Sequence, residues 1–199
     1  MARIFRLVAA LTVWAGLILQ YVLLAKGRSG GELLQVTINF FSYFTILANI
    51  ACGLCLTWPK ALAHPVVRGG AALYIAVTGA VYVLVLSKLW APVGAHWVAD
   101  TLLHHVTPVL FLIDWLVLTP KGGLRWRAAA TWLVFPLVYG VWTLAHGAQS
   151  GFWPYPFLDA SALGLTRVLI NMAAMGGAFL VLGLILVLID RLLGRRKRA

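Results

Sequence analysis

Two segments of the chain carry polar side chains at helical spacing within otherwise apolar sequence. The first set consists of amides and hydroxyls: Asn39, Ser42, Thr45 and Asn49. The second set includes an imidazole between two carboxylates: Asp100, His104, Thr107 and Asp114. At about 100° per residue, each set occupies one face of an α-helix, whereas His105 falls outside the face of the second set.

These residue types fit acyl transfer through a covalent intermediate. A threonine hydroxyl becomes a nucleophile when a base removes its proton, and neutral imidazole is the usual base. We therefore take Thr45 as the candidate nucleophile and His104 as its base, with Asp100 as a candidate to orient the imidazole. An amide would stabilise the oxyanion, and three asparagines are candidates: Asn39, Asn49 and Asn171. Asp114 is interpreted as a packing or interfacial group.

The elements that position these residues must lie in a membrane, because the composition excludes a water-soluble domain. Of the 199 residues, 62% are hydrophobic and only 11% are charged, against roughly 45–50% and about 25% in soluble domains. So few polar residues cannot cover so much apolar surface. The same apolar content excludes a disordered chain.

Six apolar runs are long enough to cross a hydrocarbon core about 30 Å thick as helices. They cover residues 4–25, 36–58, 70–89, 98–119, 128–146 and 165–189. None of them alternates polar and apolar residues as the strands of a membrane β-barrel do. We predict an all-α polytopic membrane protein, with six transmembrane helices in one bundle and a single integral-membrane domain over residues 1–199.

Basic residues are distributed unequally between the two sides of these spans. Most of the 16 Lys and Arg residues lie at the two ends of the chain and in the loops after the second and fourth spans. The positive-inside bias therefore predicts cytoplasmic termini, and we expect a bacterial inner or plasma membrane. The basic C-terminal segment is predicted to contact anionic lipids: Arg191, Arg195, Arg196, Lys197 and Arg198. The net charge of +11 then requires no nucleic acid partner.

Three of the candidate residues, Thr45, His104 and Asn171, are expected at a similar depth in the membrane. At 1.5 Å per residue, Thr45 lies about 13 Å from the outer end of its span, and His104 and Asn171 lie about 9 Å from theirs. In the external loop 151–157, Trp153 and Tyr155 would form an interfacial aromatic belt or, because two prolines stiffen the segment, a lid over the substrate. A substrate that reaches this level from the bilayer would be an acyl lipid.

Redox and metal chemistry fit the sequence less well. Cys52 and Cys55 have C-x-x-C spacing, but a membrane dithiol relay needs two pairs and the chain has two cysteines in all. We interpret both as small apolar packing residues. With no histidine near them on the same span, they make a poor zinc site. The sequence has no Gly-rich phosphate loop or dinucleotide fingerprint, so we expect neither a metal nor a cofactor.

The chain resembles a family of multi-pass membrane threonine hydrolases, the androgen-induced and androgen-dependent TFPI-regulating proteins and their bacterial relatives. Three motifs carry the resemblance: Tyr-Phe-Thr-Ile-Leu-Ala-Asn at 43–49, His-His-Val-Thr-Pro at 104–108 and Gly-Phe-Trp-Pro-Tyr-Pro at 151–156. Their order, their spacing and the number of spans agree over nearly the whole chain. Leu102 and Leu103 precede His104 where animal members have an Asn-His-x-x-His approach.

The resemblance implies cleavage of fatty acid esters of hydroxy fatty acids, with Thr45 as the nucleophile and His104 as its partner. Two other classes stay open from the residues alone. A small transporter or channel would use the polar residues as a translocation path, although the sequence has no inverted repeats or paired broken helices to favour one. A membrane scaffold would use them as hydrogen bonds between helices. The natural ester and the oligomeric state also stay open.

Overall fold

The computed structural model describes residues 1–89 and 91–195, and every regular element within them is helical. Five of the helices are long and apolar enough to cross a membrane: Ala2–Ala25, Pro65–Lys88, Ala95–Leu118, Arg127–Ser150 and Leu165–Arg195. The prediction of an all-helical protein with several long apolar helices is therefore confirmed. Arg196, Lys197 and Arg198 of the predicted lipid contact lie outside the described residues.

Two compact units divide the chain, Met1–Lys121 and Gly122–Ala199. In the first unit, α1 (Ala2–Ala25) and α4 (Pro65–Leu84) both pack against α3 (Phe44–Thr57). In addition, α5 (Ala95–Thr101) packs against α1, and α6 (Thr107–Ile113) packs against α4. The elements of this unit are α1 (Ala2–Ala25), α2 (Gly30–Phe41), α3 (Phe44–Thr57), α4 (Pro65–Leu84), a 3-10 turn (Leu86–Lys88), α5 (Ala95–Thr101), a first π turn (Leu102–Val106), α6 (Thr107–Ile113) and a second π turn (Asp114–Leu118).

In the second unit, the long helix α10 (Leu165–Arg195) packs against each of the three shorter α-helices, α7, α8 and α9, whose ranges are given with the other elements of the unit below. Asp190 on α10 accepts hydrogen bonds from the backbone N–H groups of Gly122 (3.0 Å) and Leu124 (2.9 Å), which ties the first loop of the unit to this helix. The elements are α7 (Arg127–Thr131), α8 (Val134–Ser150), a 3-10 turn (Pro156–Leu158), α9 (Ala160–Leu163) and α10 (Leu165–Arg195).

The second predicted span, residues 36–58, is not one straight helix. It consists of α2 and α3, which are bent by 73° where they meet. The Ser42 hydroxyl donates to the Ile38 carbonyl at 2.8 Å, and the Ser42 N–H bonds three residues back, to Asn39, rather than four. Tyr43 then takes an extended conformation, with φ −87° and ψ 127°, through which no α-helix continues.

The bend overturns the single polar face predicted for this span. Asn39 and Ser42 belong to the end of α2, whereas Thr45 and Asn49 belong to α3. The depth of Thr45 counted along a straight helix is wrong for the same reason. Thr45 lies instead in the first turn of α3, directly after the bend.

The fourth predicted span, residues 98–119, begins earlier, at Ala95, and contains both π turns. Pro108 explains the first of them, because a proline within an α-helix lacks the N–H and its ring clashes with the carbonyl four residues earlier, here that of His104. The wider turn relieves this clash, and the Thr107 N–H bonds to the Leu102 carbonyl five residues back. Such π turns occur frequently at functional sites.

Helix α4 begins at Pro65, five residues before the predicted start of the third span. Proline is favourable in the first helical turn, and the His64 side chain accepts the Val66 N–H as an N-cap. Arg68 was predicted to lie in the loop before this span, and this prediction is wrong: it is a buried helix residue.

Candidate active site

His104 and Asp100 form a contacting pair on one side of the first π turn. Nδ1 of His104 lies 3.1 Å from Oδ1 of Asp100 and 3.1 Å from the Asp100 carbonyl oxygen. Asp100 is buried and His104 is half-buried, whereas His105 is exposed. A proton on Nδ1 can be shared between the Oδ1 atom and the backbone carbonyl oxygen of Asp100. This tautomer leaves the lone pair on Nε2, where a neutral imidazole can act as a base.

Tyr82 on α4 contacts both members of this pair. Its hydroxyl donates to Oδ2 of Asp100, and its ring stacks on the imidazole of His104, with centroids 4.1 Å apart and planes 15° apart. The edge of the same ring meets His105 at 5.2 Å. The two oxygens of Asp100 therefore have different partners, Tyr82 on one and His104 on the other.

Asn49 links the helix of Thr45 to the turn of His104. Its Nδ2 donates to the Thr45 carbonyl at 2.8 Å and to the Leu103 carbonyl at 3.2 Å. Both hydrogens of this amide are thus engaged, so Asn49 has no donor left for an oxyanion. Its Oδ1 is buried and has no hydrogen-bond partner in the described part of the chain. Thr45 itself is only 5% exposed.

Two glycines allow helices to pack closely against the first π turn. A Cβ on Gly16 of α1 would lie 3.0 Å from the Cβ of Leu102. A Cβ on Gly79 of α4 would lie 3.3 Å from Pro108 and 3.5 Å from the carbonyl oxygen of His104. The backbone of the π turn that carries His104 is therefore closely packed from two sides.

A cluster of charged residues lies further along the same long helix. Asp114, which is fully buried, pairs with Arg68 (2% exposed) through Oδ2 and with Arg6 (21% exposed) through Oδ1, the latter at 2.6 Å. Arg68 also donates to the Thr119 hydroxyl and to the Cys55 carbonyl, each at 3.1 Å. This cluster fits the packing role predicted for Asp114, and Arg6 and Arg68 are partners of a carboxylate within it.

The two other asparagine candidates lie elsewhere. Asn39 lies on α2, before the bend, where its Oδ1 accepts from Gln35 at 2.9 Å. Asn171 belongs to the second unit, where its Nδ2 donates to the Phe157 carbonyl at 2.8 Å. Neither lies on the helices that carry Thr45 and His104.

The loop 151–157 is packed within the second unit. Trp153 lies against Gly147, where an added Cβ would come within 2.4 Å of the indole ring. Tyr155 is buried and stacks on Phe157, with ring centroids 5.3 Å apart and planes 5° apart. The aromatic side chains thus hold the loop within this unit, and its expected role, as an interfacial aromatic belt or as a lid, stays a prediction.

Sequence reasoning missed Tyr82 and Arg68. Tyr82 lies among apolar residues and belongs to no polar set, and the signal available for it was only that a buried tyrosine hydroxyl needs a partner. Arg68 lies three residues after Pro65 and before the predicted start of the third span, so its sequence position is that of an ordinary basic residue in a loop. Cys52 and Cys55 are buried free thiols. Residues 1–89 and 91–195 contain no group of three or more His, Cys, Asp or Glu side chains that could hold a metal ion.

Comparison of the chain with protein-family models, with curated proteins and with solved structures gave no match. The resemblance to the threonine hydrolases therefore rests on the three sequence motifs.

Proposed function

We propose that this protein is an intramembrane hydrolase of lipid esters, with Thr45 as nucleophile and His104 as base. The observation that carries the proposal is the contact between the buried Asp100 and the half-buried His104 of the first π turn, with Nδ1 facing the carboxylate at 3.1 Å. An intramembrane histidine beside a carboxylate is costly and marks a functional site by default. In a soluble triad the same pairing leaves Nε2 ready to accept a proton.

In the proposed reaction, Oγ1 of Thr45 attacks the ester carbonyl while its proton moves to Nε2 of His104. The tetrahedral intermediate collapses, the alcohol leaves with that proton, and an acyl-threonine remains. Water then attacks the acyl group and gives a proton to Nε2 of His104. The bond between the acyl carbon and Oγ1 of Thr45 breaks, the proton returns from His104 to Oγ1, and the carboxylic acid is released. Thr45 lies in the first turn of α3, so the positive end of the helix dipole is one source of oxyanion stabilisation. Asn39 stays a candidate donor, and the role expected of Asn171 stays a prediction.

The substrate class follows from the setting and from the family resemblance. A site carried by apolar helices takes its substrate from the bilayer, and the resemblance implies fatty acid esters of hydroxy fatty acids. The proposed topology has six spans, with α2 and α3 as one bent span and both termini cytoplasmic. The excess of basic residues on the proposed cytoplasmic side supports that orientation. Arg6 and Arg68 contribute less to this excess, because each is paired with Asp114.

A fluorophosphonate probe tests the proposal directly. The full chain in detergent is treated with the probe, and the labelled residue is mapped by mass spectrometry. We expect a label on Thr45 that is lost in Thr45→Ala and in His104→Gln. Thr78→Ala is a matched control, because Thr78 is also 5% exposed and its hydroxyl donates to the Tyr74 carbonyl one turn back. His105→Gln is the control for the histidine.

The same variants are compared in hydrolysis of a fatty acid ester of a hydroxy fatty acid. We expect Thr45→Ser to keep part of the activity and Thr45→Ala to lose it. Hydrolysis by Thr45→Ala at the wild-type rate, or loss of labelling in His105→Gln but not in His104→Gln, would overturn the assignment.

The bend between α2 and α3 favours a second candidate, a transporter. Broken helices form the substrate and ion sites of many transporters, and this span is broken by 73°. Solute flux into proteoliposomes that contain the protein, with protein-free liposomes as control, tests it. Flux in Thr45→Ala at the wild-type level, together with no hydrolysis by the wild type, would favour transport.

A further inference from the structure

Asp100 has two carboxylate oxygens, and each bonds to a different ring system. Oδ1 faces Nδ1 of His104 at 3.1 Å, and Oδ2 accepts the hydroxyl of Tyr82. A carboxylate held at one oxygen only could rotate about its terminal bond and turn away from the imidazole. The Tyr82 hydroxyl restricts this rotation, because turning the carboxylate would break the bond to Oδ2 between two buried side chains.

Tyr82 also restrains the imidazole itself. The two rings are stacked at 4.1 Å and 15°, and Tyr82 is only 6% exposed. A flip of the His104 ring by half a turn would exchange Nδ1 with a carbon facing Asp100, and the adjacent carboxylate opposes this. The stack opposes tilting of the ring out of its plane, so Tyr82 and Asp100 restrict different motions.

We propose that Tyr82 is a positioning residue that holds His104 in one ring orientation and one tautomer, with the proton on Nδ1 and the lone pair on Nε2. The consequence of Tyr82 for catalysis rests on the proposed function, whereas the effect of Tyr82 on the imidazole of His104 does not. Tyr82 does not touch the reacting atoms in this assignment, and it acts on His104 directly through its ring and indirectly through Asp100.

The deciding measurement is the tautomer of His104 in the full chain, read from long-range proton–nitrogen NMR correlations of ¹⁵N-histidine-labelled protein in detergent. His104→Gln assigns the signal among the five histidines. We expect a single Nδ1–H form in the wild type and a mixture of the two neutral tautomers in Tyr82→Phe, which keeps the ring and loses the hydroxyl. Tyr21→Phe is the matched control, because it also loses a hydroxyl bonded to a side chain, that of Thr37 at 2.9 Å.

The kinetic expectation is a fall in kcat of about tenfold to a hundredfold in Tyr82→Phe with KM unchanged, as is typical when an outer partner of a functional histidine is lost. Thr45→Ala that hydrolyses normally would overturn the proposed function, and the tautomer comparison would still decide the role of Tyr82. An unchanged His104 tautomer in Tyr82→Phe would overturn the role of Tyr82. If that variant does not fold, the wild type decides: a mixture of the two neutral tautomers at His104 overturns the role of Tyr82, and a single Nδ1–H form supports it.

Discussion

The side-chain amide of Asn49 donates to the backbone carbonyl of Leu103, 54 residues later in the chain, at 3.2 Å. The first π turn explains why this carbonyl needs a side-chain donor. The Thr107 N–H, four residues after Leu103, bonds to Leu102 instead, and Pro108 has no N–H to offer. Asn49 therefore completes the backbone hydrogen bonding of the turn that carries His104.

Replacement of Asn49 by leucine, which has similar volume, should lower the free energy of unfolding by about 1–2 kcal/mol, because it leaves the Leu103 carbonyl buried without a donor. Unfolding in mixed micelles, followed by circular dichroism, measures this. Asn39→Leu is the comparison, since Asn39 bonds to an exposed glutamine side chain. Equal loss in both variants would contradict a special role for the Leu103 carbonyl.

The glycine at position 16 should resist enlargement. Gly16→Ala places a Cβ 3.0 Å from Leu102 Cβ and 3.1 Å from Leu103 Cδ2, and such overpacking costs about 1–3 kcal/mol. Gly31→Ala is the matched control, because nothing lies within 4 Å of its added Cβ and its φ is not positive. The same unfolding measurement should show a loss for the first variant and no loss for the second. A stable Gly16→Ala protein would mean that α1 and the π turn separate easily.

The charged cluster around Asp114 should be intolerant of single changes. Asp114→Leu leaves the guanidinium of Arg68, which is 2% exposed, buried without its counter-ion, and such losses cost about 3–5 kcal/mol. The double variant Arg68→Met/Asp114→Leu should recover most of that stability, because it removes both buried charges while Arg6, 21% exposed, can turn to solvent. If the double variant is less stable than Asp114→Leu, the cost comes from lost hydrogen bonds to Thr119 and Cys55 rather than from the orphaned charge.

The N-cap of α9 should depend on pH in a defined direction. The Ser161 hydroxyl, which donates to Asp159 Oδ1 at 2.5 Å, holds the pKa of the Asp159 carboxyl below its ordinary value of 3.8, and the N–H groups of Ala162 and Ser161 act in the same direction. Because the pKa is lower in the folded protein, the cap stabilises the loop above pH 3.8 and is lost as the pH falls through the lower, folded value.

The amide proton of Ala162 reports this loss in an NMR titration, because it bonds to Asp159 Oδ1 at 3.1 Å. We expect the midpoint of its shift below pH 3.8. Asp159→Asn keeps an acceptor for the cap and does not titrate, so its Ala162 signal should be constant over the same range. A midpoint at or above 3.8 would contradict the capping geometry.

Several features of the site follow from sequence separation alone. Asp100 and His104 are four residues apart on one helix, so their contact is a local consequence of helical geometry. The same helical phase placed His105 off the face of this pair, and the structure shows that His105 is exposed. The bend at Ser42 and Tyr43 is less predictable, because an apolar run with one serine is equally compatible with a straight span. The two π turns shift the phase of the fourth span, and a hydropathy pattern with one proline does not locate both of them.

The sequence by itself determined that this is an all-helical protein with several apolar helices long enough to cross a membrane, because hydropathy and helical period are local properties of the chain. Only the tertiary structure decided three contacts. Tyr82 donates a hydrogen bond to Asp100, Arg68 is buried in an ion pair with Asp114, and Asn49 donates to the Leu103 carbonyl. Each of these contacts joins a side chain on one helix to a group on another. Their pairing depends on how the helices pack and rotate against one another, and no local pattern in a single sequence encodes that choice.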